Sequence, residues 1–170
     1  MFKINFLFLI IICACKNANE TNEASKKQKE ISQQKIPITQ IYLNDLKGQP
    51  IDLEKYKGKT VFINFWATWC KPCREEMPSI QEAMKILKDE KVEFLFASDE
   101  SADQIEEFKA TNEYSFNYVK VESLSELNIM GLPTTFIFNP NGELIFSEMG
   151  YRKWNDKDNI DLILNKDQRK

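Results

Sequence analysis

Along most of the chain, short apolar runs alternate with stretches whose apolar residues recur at helical spacing. Val61-Phe62-Ile63-Asn64-Phe65-Trp66 and Val92-Glu93-Phe94-Leu95-Phe96-Ala97 are β-branched, aromatic and of strand length, so each reads as a strand. Phe116 to Val121 reads as a shorter extended segment. Thr134 to Phe138 is followed by the hairpin turn Asn139-Pro140-Asn141-Gly142 and a returning strand, Glu143 to Ser147. After Cys70 the pattern becomes helical and stays so to about Lys88 or Asp89, with Ile80, Ala83, Met84 and Leu87 on one face. Pro72 suits an early helical position, whereas Pro78 falls inside the helix and predicts a kink. Ser101-Ala102-Asp103-Gln104 has capping-box spacing and opens a second helix to about Asn112, with Ile105 and Phe108 inward. Leu124 to Ile129 reads as a helical turn, and Asn155 as the cap of a last helix carrying Ile160, Ile163 and Leu164. Upstream, Ile41-Tyr42-Leu43 and Pro50-Ile51-Asp52-Leu53 flank Lys47-Gly48-Gln49 as the arms of a hairpin.

The first residues follow another pattern. Met1 to Ala14 has Lys3 and then the apolar stretch Phe6 to Ile12, as in a signal segment. The stretch is shorter than the about 20 residues a membrane-spanning helix needs. Ile12-Cys13-Ala14-Cys15 resembles a bacterial lipobox, in which a small residue precedes the lipidated cysteine; Cys15 fits and Cys13 does not. Residues 15–36 have almost nothing to bury, so they are expected to form a flexible, lipid-anchored tether with a reach of about 25 Å. Residues 37–166 form the folded domain, outside the cytoplasm. The whole chain is 42% hydrophobic, enough for one core. The formal charge of −3 is interspersed and offers no basic surface for nucleic acid.

Candidate chemistry concentrates where the first long strand meets the first long helix. Cys70 and Cys73 stand at the N-terminus of that helix, where free N–H groups and the dipole favour a thiolate on Cys70. Nearly one turn separates them, so their sulfurs can close a small disulfide ring. Zinc would need more ligands, yet the chain has no histidine, and its other cysteines are Cys13 and Cys15. A structural staple would close a longer loop. The pair therefore reads as a dithiol that opens and closes in place: Cys70 attacks a substrate disulfide, and the more buried Cys73 resolves the mixed disulfide.

Asn64-Phe65-Trp66-Ala67-Thr68-Trp69-Cys70-Lys71-Pro72-Cys73, with Glu76-Met77-Pro78 and Gly131-Leu132-Pro133-Thr134-Thr135, resembles the thioredoxin superfamily, and within it the extracytoplasmic TlpA/ResA type. The resemblance implies an α/β thioredoxin-like fold, a central mixed sheet flanked by helices on both faces, with an N-terminal β-hairpin extension. It implies that Pro133 is cis and that Leu132, Pro133 and Thr134 form a substrate-binding loop, with Trp69 and Pro72 on the active-site surface. Thioredoxin has a buried aspartate six residues before its first active-site cysteine. Asn64 stands there and cannot accept a proton; resemblance to the TlpA/ResA type, which has a functional glutamate three residues after its second cysteine, implies Glu76 as the proton acceptor, and Lys71 is expected to favour the Cys70 thiolate. No metal or cofactor besides the Cys70–Cys73 disulfide is expected. The leading function is a reductase of protein disulfides, monomeric, supplied by a membrane electron donor, with apocytochrome c as the substrate the resemblance implies. A disulfide oxidase or isomerase of the same fold is the alternative, and a non-catalytic, lipid-anchored peptide-binding module is another.

Overall fold

A computed structural model of the chain describes residues 37–166; the signal segment, Cys15 and the tether lie outside the described residues. The strands are β1 (Leu43–Asn44), β2 (Thr60–Phe65), β3 (Val92–Ser98), β4 (Asn117–Val121), β5 (Thr134–Phe138) and β6 (Leu144–Met149). The helices are α1 (Lys71–Ile86), α2 (Ala102–Ala110) and α3 (Lys157–Ile163). The sheet runs in the order β1-β4-β3-β2-β5-β6. β2, β3 and β4 are parallel, and β1, β5 and β6 pair antiparallel. This is the mixed thioredoxin-like sheet.

β2 is buried at every position, as a strand covered on both faces must be. Its side chains alternate between two cores. Phe62 and Trp66 join Met77, Ile80, Ile105, Phe108, Trp154 and Ile163, so all three α-helices cover one face. Val61, Ile63 and Phe65 join Ile38, Ile41, Leu53, Tyr56 and Ile129 on the other. That second face is covered by the N-terminal segment and the 3-10 turns Ile38–Gln40, Leu53–Tyr56 and Ser125–Leu127. Helical cover thus differs between the faces. The segments on the second are too short to nucleate α-helix.

Other expectations shift locally. The first arm of the N-terminal hairpin forms and joins the sheet edge, with Leu43 opposite Val121. Its turn closes through the Asp45 carboxylate, which accepts the N–H groups of Lys47 and Gln49. The second arm shrinks to a bridge at Pro50, which has no N–H for a ladder, and Asp52 then caps a 3-10 turn. α1 continues through Pro78 as one helix and ends at Ile86. The Ser101 capping box forms as expected, and α2 stops at Ala110, where the side chains of Thr111 and Asn112 hydrogen-bond the last carbonyls. At the last helix the N-cap position falls on Asp156 rather than Asn155, and its side chain makes no capping hydrogen bond.

The register sorts the loops into two poles. Phe65 lies opposite Ala97 and Thr134, and Thr134 opposite Met149. The segments after β2 and β3, the loop before β5 and the segment after β6 therefore share one end of the sheet, the carboxyl ends of its parallel strands. Residues 37 and 38 meet the β5–β6 turn at the far end, where Ile38 N–H donates to Gly142 O at 3.0 Å.

Candidate active site

At the first pole β2 passes through a turn into α1. Trp66 N–H still donates to Ala97 O at 3.0 Å, and Cys70 N–H closes the turn on Ala67 O at 3.1 Å. Cys70 is the N-cap of α1, its Sγ accepting the Cys73 N–H at 3.2 Å. A sulfur so placed stands among the unpaired N–H groups of the first helical turn, where negative charge is favoured. Lys71 and Pro72 fill the first two helical positions. Cys70 and Cys73 are joined by a disulfide, with Cα atoms 5.3 Å apart, and both are buried. Trp69 beside them is exposed at 71%. The Lys71 ammonium turns towards Glu75, 3.6 Å away, and both are solvated.

One turn beyond Cys73, on the same buried stripe of α1, lies Glu76, fully inaccessible. Burial pushes its carboxyl up to about 7, against three smaller influences in the opposite sense. The largest of these is Asn64 on β2, whose Nδ2 donates to Glu76 Oε1 at 2.7 Å and to Thr135 Oγ1 at 3.1 Å. Strand alternation accounts for the meeting: Asn64 sits between Phe62 and Trp66 on the face that α1 covers. Next comes the Arg152 N–H, which donates to Oε2 at 3.1 Å from the segment after β6. The Trp154 indole N–H bears on the same carboxylate without forming a hydrogen bond of good geometry. Asn64 Oδ1 is buried and has no partner. This carboxyl can be an acid or a base near neutral pH.

The loop before β5 ends in a cis Leu132–Pro133 peptide. Pro133 is buried and its carbonyl accepts the Gly150 N–H at 2.7 Å. The Thr134 hydroxyl donates to Gly131 O at 2.7 Å, tightening the loop on itself. Met149 packs on Gly131 so closely that a Cβ there would lie 2.6 Å from its sulfur. Met130, Met149 and Tyr151 are exposed around this loop.

Reasoning from sequence did not single out three contributors. Arg152 and Trp154 reach Glu76 from a distant, polar stretch in which nothing marks them. Glu100, buried in the loop after β3, takes two hydrogen bonds from Thr68 in the turn before Cys70. A carboxylate in an acidic surface loop carries no sequence signal for such a task. Among the described residues, no group of three or more histidine, cysteine, aspartate or glutamate side chains is arranged to hold a metal ion.

Fold and site together define a thioredoxin-like domain with a Cys-x-x-Cys pair at a helix N-cap and a cis-proline loop at the same pole. The chain belongs to the AhpC/TSA family, whose model matches residues 32–147. It is 42% identical over 106 residues to the thiol-disulfide oxidoreductase ResA of Geobacillus kaustophilus, covering 60% of this chain and 61% of that one. To ResA of Bacillus subtilis it is 32% identical over 145 residues, covering 82% and 79%. The chain thus spans about three fifths of the first of these relatives. A crystal structure of a putative thiol:disulfide interchange protein DsbE from Chlorobium tepidum shares the fold, with a TM-score of 0.64 at 22% identity over 73% of this chain and 90% of that one.

Proposed function

We propose that this chain is an extracytoplasmic thiol-disulfide oxidoreductase that reduces disulfides in other proteins, held at a membrane by lipid on Cys15. The observation that carries the reading is the Cys70–Cys73 disulfide at the N-cap of α1, with Glu76 buried one turn further along the same face. The names of the relatives support the activity.

In the reduced protein the Cys70 thiolate attacks one sulfur of a substrate disulfide. A bond forms from Cys70 to that sulfur, and the other substrate sulfur leaves as a thiolate. Cys73 then gives its proton to Glu76 and attacks the Cys70 sulfur, which releases the second substrate thiolate and restores the Cys70–Cys73 disulfide. Two electrons have passed to the substrate, and a dithiol donor at the membrane returns them. Glu76 suits the proton step, since a carboxyl near 7 is ionised in part of the molecules at neutral pH and gives the proton back readily. Leu132, Pro133 and Thr134 hold an extended substrate segment, and Trp69 with the thioether and aromatic rim covers its apolar side chains. Lys71 is a minor influence on Cys70, because its charge is shared with Glu75.

Residues 1–14 are the signal segment, 15–36 the tether and 37–166 the catalytic domain. The described chain begins at the pole opposite the disulfide, so a tether there leaves the site free to turn towards partners. Apocytochrome c is the substrate implied by resemblance to the TlpA/ResA type. In cells, a C73S variant is expected to accumulate mixed disulfides through Cys70, resolved by non-reducing electrophoresis and mass spectrometry. C70S should trap none. A C70S/C73S double variant that keeps the parent's phenotype would overturn the reading and leave a binding module.

A further inference from the structure

We infer that Glu100 is a positioning residue for the redox centre: its carboxylate holds the turn from Ala67 to Cys70 in the conformation that keeps Cys70 within bonding reach of Cys73. This rests on the disulfide chemistry proposed above and adds to it a residue remote in sequence. Both carboxylate oxygens engage one residue of the turn. Thr68 N–H donates to Oε2 at 2.7 Å and the Thr68 hydroxyl to Oε1 at 2.6 Å. Glu100 is itself held from the sheet. The Ser98 hydroxyl donates to Oε2 at 3.2 Å, Glu100 N–H donates to Ser98 Oγ at 3.2 Å, and Lys120 Nζ donates to the Glu100 carbonyl at 2.7 Å. Ser98 and Lys120 are register partners across β3 and β4, so the clamp is tied to the parallel strands.

The turn needs such a hold. Its tip, Trp69, stands in solvent, and its backbone is closed on itself by the one bond from Cys70 N–H to Ala67 O. Cys70 is fixed on its C-terminal side by α1 and on its N-terminal side by the Thr68–Glu100 pair. Closing the disulfide is an intramolecular step, favoured in proportion to the share of dithiol molecules whose sulfurs already lie together. Loosening the turn reduces that share and shifts the balance towards the dithiol. Charge-assisted bonds of this length are among the stronger ones available to a loop.

The test equilibrates the full-length chain with glutathione. One Cys70–Cys73 disulfide and two glutathione thiols give the protein dithiol and one glutathione disulfide, with two electrons and two protons passing to the protein. E100A is expected to raise the dithiol-to-disulfide ratio about tenfold at fixed glutathione, which is about 30 mV. T68V keeps the backbone bond and loses the hydroxyl one, for a rise of about threefold. E100Q should stay within about twofold of the parent, since its amide oxygen accepts the Thr68 N–H and its amide nitrogen donates to the Thr68 hydroxyl. By linkage the thermal midpoint of the oxidised form should fall further than that of the reduced form. Unmoved ratios in E100A and T68V, with equal loss of stability in both redox forms, would overturn the inference and leave a loop staple. Should E100A fail to fold, T68V decides alone. The ratios need no partner protein, so they stand or fall separately from the trapping of substrates by C73S.

Discussion

On one face of β2 the inward residues are Val61, Ile63 and Phe65; on the other they are Phe62, Asn64 and Trp66. The first set meets apolar neighbours, and Phe65 packs edge-on to Phe136 with ring centroids 5.0 Å apart. The second set lies under α1, and there the same strand buries an amide against a carboxyl one helical turn beyond Cys73. Both faces exclude water equally well. They differ in what they give up: burying Glu76 disfavours its charged form, and the unpartnered Asn64 Oδ1 costs about 1–3 kcal/mol. One core holds the sheet together, and the other spends part of that stability on a group that can take a proton beside Cys73.

Substitutions can break this contrast. Phe65→Ala removes an apolar side chain from the first core and should lower unfolding free energy by about 3–5 kcal/mol in denaturant titrations. The loss should be equal in the oxidised and reduced forms, and the reduction potential should stay in place.

Glu76→Gln acts on the second core and changes the pH dependence. The folded Glu76 carboxyl lies near 7, above its unfolded value of 4.5, so between these values the folded state binds more protons than the unfolded state. Its contribution is fully present below about 4.5 and is lost as pH rises through about 7. Over that window the parent should lose about 3 kcal/mol of stability that the variant does not lose. Unfolding curves at pH 4 and pH 8 check this, and identical slopes for parent and variant would show that Glu76 does not titrate there. The smallest effect belongs outside both cores. Lys71→Ala breaks an exposed pair with Glu75 and should change stability by less than about 0.5 kcal/mol, measured at low and high salt.

How much of this was legible beforehand follows the same division. Periodicity marks apolar positions, so the strands, α1 and α2 could be placed from the spacing of residues such as Phe62, Ile80 and Ile105. Cys70 and Cys73 stood out because their spacing at a helix N-terminus suits a redox pair, and Pro133 because its neighbours resemble the cis-proline loop of the thioredoxin superfamily. The role of Glu76 was legible from the resemblance; its burial one turn after Cys73, on the inward stripe of α1, came from the structure. Polar contacts between distant segments were not legible. The Arg152 N–H that reaches Glu76 spans 76 positions, and Thr68 to Glu100 spans 32. No local pattern encodes such meetings, because the register of the sheet creates them. The second arm of the N-terminal hairpin failed for a local reason that could have been weighed: Pro50 cannot donate to a ladder.

The central claim is that Cys70 and Cys73 form a reducing couple, and its most direct test is the reduction potential of the full-length chain, equilibrated in thiol buffers at pH 7. Thioredoxin, at about −270 mV, and a strong disulfide oxidant, at about −120 mV, bracket the outcomes. A value near or below the first is expected. A value near the second would contradict the reductase and make disulfide formation the work of this site.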